Sequence, residues 1–209
     1  MTYLILALCL VFAFCLGSIP FGLVIAKTFK SIDPRKAGSG NIGSTNVARL
    51  CGMPCGLLTL FCDIMKGTLP VLIAVHVLPS MFMQSLVAFA AVMGHIKSPF
   101  LGFKGGKGVA TTIGALIPLA FLPLLCAVAC FFVVVFATRY VSLSSITVSL
   151  LYPVVFNGIL SFMGLHADPI AMLSSIIIGL FITFCHRKNI QRLLKGTENK
   201  MKFRKKDES

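Results

Sequence analysis

The feature that most limits this chain is a succession of long apolar runs, at about 3–25, 51–62, 68–93, 109–138, 141–165 and 169–185, separated by short polar segments. Several reach the roughly 20 residues an α-helix needs to cross hydrocarbon. A backbone in lipid has no partner but itself, so spanning structures are helices or closed barrels. Barrel strands would alternate over about 10 residues instead of staying continuously apolar. The expected fold class is all-α, a polytopic integral membrane protein. Composition agrees: 57% of the 209 residues are hydrophobic and 12% charged, with a mean hydropathy of +0.95, against about 25% charged in ordinary soluble domains.

Charge placement sets the expected topology. Apart from Lys66 and Arg139, the basic residues behind the net charge of +13 are confined to the loop 27–49, the segment 97–107 and the tail after His186, as the positive-inside rule requires of cytoplasmic segments. With no tryptophan in the chain and few aromatics in those loops to stack bases, no nucleic-acid partner is expected. The first run has no basic residue before it and Lys27 and Lys30 after it, which predicts an uncleaved helix entering from an outside N-terminus. Segments on either side of Pro79 then go out and return before Lys97. The stretch 108–138 lies between basic Lys107 and Arg139 and is interrupted by Pro118 and Pro123, so it is expected to cross twice as a tight helix pair with a short first member. Two further spans, about 141–163 and 168–186 with Asp168 and Pro169 at the outer turn, make about seven crossings with a cytoplasmic C-terminus. A six-helix alternative takes 108–138 as one long tilted span. The domain reading is one transmembrane catalytic domain over 1–186 and a basic cytoplasmic tail over 187–209, a solvated anchor against anionic headgroups. The eight cysteines lie almost entirely in apolar runs without metal-ligand spacing and read as small packing residues.

Four polar constellations interrupt this pattern. Residues 38–49, GSGNIGSTNVAR, combine glycines that turn backbone N–H groups toward an anion with Ser, Thr and Asn donors and a forked guanidinium at Arg49. Residues 38–43 also spell G-x-G-x-x-G, but no strand precedes and no βαβ unit follows, so a dinucleotide site is excluded. The second is Asp63-Ile-Met-Lys66-Gly67 between two apolar runs. Ionisable groups at membrane depth must pair or face water, and spacing three apart puts both on one helical face. The pair either positions helices or presents Lys66 to an anion. The third joins Gly94-His95 to Phe103-Lys-Gly-Gly-Lys-Gly108 just ahead of a helix, where free N–H groups, the macrodipole and two lysines favour phosphate. His95 is either a packed helix-end histidine or a general base. The fourth, His186-Arg-Lys-Asn189, says little by itself, since basic residues at a cytoplasmic helix end follow from topology.

Taken in order, GSGNIGSTNVAR, DIMKG, GH with FKGGKG, and HRKNI resemble the PlsY family, the acyl-phosphate:glycerol-3-phosphate acyltransferases of bacterial phospholipid synthesis, over nearly the whole hydrophobic chain. Ser44 departs from the alanine frequent in that family. The resemblance implies a bacterial inner-membrane enzyme that moves a fatty acyl group from acyl phosphate to the 1-hydroxyl of sn-glycerol 3-phosphate, with active-site loops on the cytoplasmic side. It implies no metal, no cofactor and no acyl-CoA donor, and leaves open a soluble enzyme supplying acyl phosphate. By motif matching, the implied catalytic residues are His95, Asp63, Lys104 and Arg49. The implied substrate-binding residues are Ser39, Asn41, Thr45, Asn46, Lys66, Gly105, Gly106, Lys107, His186 and Asn189. Acyl phosphate carries its own good leaving group, so the chemistry asks mainly for two anions held close, an aligned hydroxyl and a stabilised oxyanion. The hydroxyl proton has three possible destinations: His95, Asp63 or a substrate phosphate. The principal rival is a transporter for a phosphorylated metabolite, which would place its site near the midplane in repeated halves; no internal repeat is evident.

Overall fold

The computed structural model describes residues 1–164 and 169–201, excepting the side chains of residues 157, 170 and 171. Asp168, expected at an outer turn, lies outside the described residues, as does the end of the tail. Ten helices follow in order: α1 (Thr2–Ser18), α2 (Phe21–Lys30), α3 (Ser44–Cys51), α4 (Met53–Val77), α5 (Met81–Ile96), α6 (Val109–Leu119), α7 (Phe121–Thr138), α8 (Val141–Phe162), α9 (Pro169–Cys185) and α10 (Arg187–Leu194), with a 3-10 turn at Pro99–Leu101. The fold is all-helical among the described residues, and four helical segments, Thr2–Lys30, Met53–Val77, Phe121–Thr138 and Val141–Phe162, are long and apolar enough to cross a membrane.

Three boundaries differ from a reading of apolar runs, each for a backbone reason. The first run is two helices, because Pro20 has no N–H to continue α1 and its ring obstructs the preceding turn; the chain bends at Ile19 and restarts at Phe21. The runs 51–62 and 68–93 do not end at the polar motif between them. Asp63 to Gly67 form one turn inside the 25-residue α4, and the break comes later, at 78–80. The stretch 109–138 does divide, at Ala120 (φ −156°, ψ 59°). Its first part, α6, has 11 residues and is about 16 Å long, roughly half the hydrocarbon thickness. The two parts also choose different neighbours, α6 packing on α4 and α7 on α8.

Helices in lipid gain little from burying apolar side chains against one another, so close backbone approach through small residues holds them together. Gly17 of α1 faces the Ala91 backbone of α5, and Gly94 of α5 faces the backbone of Phe14 and Ser18. Gly67 of α4 meets Thr111 and Ala115 of α6, while Gly114 meets Ile64. A Cβ at any of these glycines would overlap the partner's main chain. Between them lies a core of Ala13, Ala74, Ala88, Ala91 and Ala115 with Val71, Leu78 and Val87. The bulky residues point the other way: Leu4, Leu8 and Val11 on α1 and Phe132, Val133 and Phe136 on α7 are exposed, a surface suited to acyl chains.

Candidate active site

Breaking α1 at Pro20 leaves its last carbonyls without helical donors, and Lys66 of the second motif and Ser98, just before the third loop, supply them. Lys66 Nζ donates to the Ile19 carbonyl at 2.8 Å, and Ser98 Oγ donates to the Ser18 carbonyl at 2.6 Å. Lys66 also pairs with Asp63 at 2.7 Å and lies 5.7 Å from the Phe21 ring centroid. Both charged groups are 2% exposed. The His95 Nδ1 atom stands 3.7 Å from the Asp63 carboxylate and has no hydrogen-bond partner among the described residues. Asp63, Lys66 and His95 thus form an inner polar cluster that ties α1, α2, α4 and α5 together.

The third loop is built on top of this cluster. After the 3-10 turn, the Gly105 N–H donates to the Ile96 carbonyl at 3.0 Å and the Gly106 N–H to the His95 carbonyl at 3.1 Å. These bonds press the two glycines against α5, with Gly106 on the His95 ring edge at Nε2 and Gly105 on the His95 carbonyl. Any side chain there would collide. Gly108, at φ 85°, then starts α6.

Lys107 leaves this loop toward the fourth motif. Its Nζ donates to Asn189 Oδ1 at 2.6 Å, and Asn189 Nδ2 donates to Glu198 Oε1 at 2.8 Å. Ser142 Oγ donates to the same oxygen at 3.0 Å, and Arg192 Nε to Oε2 at 2.7 Å. Burial pushes the Lys107 ammonium down to about 8; Glu198 works against this, while the Arg192 and Arg49 cations add to it. The Arg49 dependence brings the first motif into the same electrostatic neighbourhood. Burial works to raise the Glu198 pKa, but the bonds from Arg192, Asn189 and Ser142 prevail and hold it below the usual carboxylate range. His186 is 2% exposed. Burial first, then the Lys107 charge, push its pKa down to about 4, so it is neutral near pH 7. Its Nδ1 lies 2.8 Å from the Ile182 carbonyl, a contact that requires the proton on Nδ1 and leaves Nε2 an acceptor.

The first loop is organised differently, around one side chain. Asn46 Oδ1 accepts from the Ser39 N–H at 2.8 Å and from Arg49 at 3.3 Å, and Nδ2 faces the carbonyls of Asn41 at 2.8 Å, Pro34 at 2.9 Å and Ala37 at 3.2 Å. Asn41 Oδ1 accepts from the Gly43 N–H at 3.2 Å. Gly38 and Gly40 take left-handed conformations, φ 62° and 71°, which only glycine adopts without strain. Both asparagines are therefore turned into the loop. Thr45 and Arg49 are exposed, and Ser39 is half-buried.

Comparisons with known proteins bear on this arrangement. The profile of the family described as Glycerol-3-phosphate acyltransferase matches residues 7–196. The chain belongs to that family, PlsY. A glycerol-3-phosphate acyltransferase of Nitratidesulfovibrio vulgaris is 45% identical over 89% of this chain, which spans 55% of that longer relative. One of Lawsonia intracellularis is 44% identical over 89% of this chain and 90% of its own length. Among solved structures, PlsY (YgiH), an integral membrane glycerol 3-phosphate acyltransferase, superposes in its glycerol 3-phosphate form with a TM-score of 0.85 at 38% identity, covering 94% of this chain and 96% of that one. Its lysophosphatidic acid form gives 0.84, with 94% and 95% covered. The chain is accordingly an integral membrane protein of the PlsY family.

Against the residues expected from the sequence, this family member shows two layers. Asp63, Lys66, His95, Asn41 and Asn46 hold backbone or one another. Arg49, Lys104 and Thr45 are exposed, and Lys107, which feels the Arg49 charge, reaches Asn189. The sequence reading missed the Ser18 and Ile19 carbonyls, Ser98, Ser142 and the role of Arg192 and Glu198. The signals were present in part: Pro20 marks a helix end with orphan carbonyls, and Glu198 is one of only six acidic residues, set between basic Lys195 and Lys200. The segment after His186 was read as a solvated anchor, whereas residues 187–201 fold back as α10 and a strap whose Met201 N–H donates to the Arg139 carbonyl at 2.7 Å.

Proposed function

We propose that this protein transfers a fatty acyl group from acyl phosphate to the 1-hydroxyl of sn-glycerol 3-phosphate, releasing lysophosphatidic acid and inorganic phosphate, at the cytoplasmic face of a bacterial inner membrane. One observation carries this beyond family membership. Among the described residues, Arg49, Lys104 and Lys107 have no carboxylate within ion-pair distance, and the Arg49 charge acts on Lys107. Cations without a carboxylate partner repel one another at a cost that bound anions recover, and both proposed substrates are phosphates. The forms in which the related PlsY structures were solved, with glycerol 3-phosphate and with lysophosphatidic acid, support the acceptor and the product. The acyl-phosphate donor rests on the family resemblance and on the absence of any need for a covalent acyl-enzyme.

In this reading Arg49, Lys104 and Lys107 neutralise the two phosphates, with Ser39, Thr45 and the Gly105 region lining the approach. The acceptor hydroxyl oxygen attacks the acyl carbonyl carbon, the bond from that carbon to the phosphate oxygen breaks, and phosphate departs with both electrons. His95 and Asp63 are 4% and 2% exposed and engaged inside the bundle, so we assign them to positioning. The hydroxyl proton then passes to a substrate phosphate, and His186, 2% exposed and turned onto the Ile182 carbonyl, is assigned to positioning as well. Lys66 likewise positions the α1–α2 bend. We further propose about seven crossings with the N-terminus outside, from α1–α2, α4, α5, α6, α7, α8 and α9, and a functional unit that runs past 186 to include Glu198.

Purified protein in lipid, supplied with acyl phosphate and glycerol 3-phosphate, is expected to form lysophosphatidic acid and free phosphate. Turnover with acyl-CoA alone would overturn the donor, and no turnover by folded protein would overturn the activity. A His95→Gln variant that binds both substrates but performs no chemistry would overturn the assignment of the proton to substrate phosphate.

A further inference from the structure

The loop between α5 and the glycines of the third motif displays two phenyl rings to the outside. Phe100 is 68% exposed and Phe103 61%. Elsewhere large exposed apolar side chains lie mainly along helices, where lipid covers them. Phe100 stands in the short 3-10 turn and Phe103 on the non-helical backbone after it, between exposed Lys97 and exposed Lys104. The loop is firmly built. Ser98 and Leu101 are buried, Ser98 is bonded to the Ser18 carbonyl at 2.6 Å, and the Phe103 and Lys104 N–H groups donate to the Ser98 and Leu101 carbonyls at 2.9 and 3.2 Å. Phe103 nonetheless takes φ 61°, directly after Gly102 at 58°. A bulky residue in the left-handed region is strained, and such strain persists where the surroundings impose it. Here the imposed conformation goes with a ring that is mostly exposed.

We propose that Phe100 and Phe103 are an interfacial wedge that seats the third loop at the boundary between headgroups and acyl chains of the bilayer the protein spans. The occupant follows from position and charge. Non-helical backbone is tolerated at a membrane only inside protein or at its wet edge, aromatic rings favour that edge, and Lys97 beside them suits anionic headgroups. The wedge fixes Lys104 at the depth of the headgroup phosphates. On the proposed reading of the reaction, an acyl phosphate is then met with its chain still in the bilayer.

The chain contains no tryptophan, so single substitutions report their own surroundings. Phe100→Trp and Phe103→Trp, with Val154→Trp on the exposed face of α8 (68% exposed) as the deep reference, are reconstituted in phosphatidylethanolamine–phosphatidylglycerol vesicles. The wedge predicts blue-shifted emission for both loop tryptophans, quenched more by lipids brominated near the glycerol backbone than near the chain ends, and the reverse order for Val154→Trp. Water-like emission quenched by iodide and untouched by brominated lipid overturns the proposal, as does the deep pattern in the loop. Phe100 sits in an ordinary turn, so its variant keeps the test decisive if Phe103→Trp does not fold. Phe103→Gly suits the left-handed backbone and is expected to raise the unfolding temperature in detergent. A lower temperature would show that the ring packs within the protein, which also overturns the wedge. None of these readouts depends on acyltransferase activity.

Discussion

The two glycine-rich loops of the site read alike in sequence and are held by opposite means. Loop 38–46 is wrapped around the amide of Asn46, whose one side chain meets the Ser39 N–H and the carbonyls of Pro34, Ala37 and Asn41. Loop 103–108 has no such centre. Its own N–H groups are bonded to the end of α5, and its glycines exist because the His95 ring and carbonyl occupy the space a side chain would need. Gly40 in the first loop supplies conformation, at φ 71° with only ordinary contact around it, whereas Gly105 and Gly106 in the third supply room. A loop held by a side chain fails when that side chain is cut, and a loop held by close backbone approach fails when anything is added.

The largest expected effect breaks the first loop alone. Asn46→Ala leaves several backbone groups unpaired, and at about 1–3 kcal/mol for each buried one the loss in unfolding free energy is expected to reach about 4 kcal/mol. Denaturant titration in detergent measures it; a loss no greater than an ordinary surface substitution would contradict the hub. Next, Gly106→Ala places a methyl group on the His95 ring while the N–H is tied to the His95 carbonyl. Overpacking costs about 1–3 kcal/mol, and turnover should fall further than stability because Lys107 moves with the loop. Unchanged KM for glycerol 3-phosphate and unchanged kcat would show that the loop adjusts freely.

A smaller effect, and one confined to the third loop, is a pH dependence. Burial has already pushed Lys107 down to about 8, so its positive charge is lost as pH rises through that value. Affinity for the phosphate substrates should weaken by up to about tenfold per pH unit above it. Stability moves the other way in the same window. Between about 8 and 10.5 the unfolded chain holds a proton that the folded chain has released, so this residue's contribution to stability improves with pH. Lys107→Arg, which stays charged, should flatten both profiles; an inflection that survives it belongs to another group. The smallest effect is in the first loop. Gly43 has φ −68° and its nearest neighbour for a new Cβ is 3.9 Å away, so Gly43→Ala should change stability by no more than about 0.5 kcal/mol. A collapse there would mean that both loops depend on space.

Much of the scaffold was legible without coordinates. Continuous apolarity requires helices in lipid, and Pro118 and Pro123 predicted a divided 108–138, which the structure breaks at Ala120. Pro20 carried the same message for the first run, but the run's uninterrupted apolarity concealed it. The anion-grade motifs were equally visible as motifs. Asn46 and Lys66 were expected at the substrate and are found holding backbone, because residue type and spacing describe what a side chain offers and not which carbonyls lie within its reach.

The sequence by itself determined the solvent, the helical class and the four constellations, since each follows from local composition or from spacing along one helix. Only the tertiary structure decided how those constellations divide. Lys66 closes the α1 break 47 residues away, and Lys107 reaches Asn189 across 82. Such contacts depend on where separate helices pack, and packing is set by the glycine crossings at 17, 67, 94 and 114. The same residue types therefore became an inner layer that holds the bundle and a set of cations without carboxylate partners among the described residues.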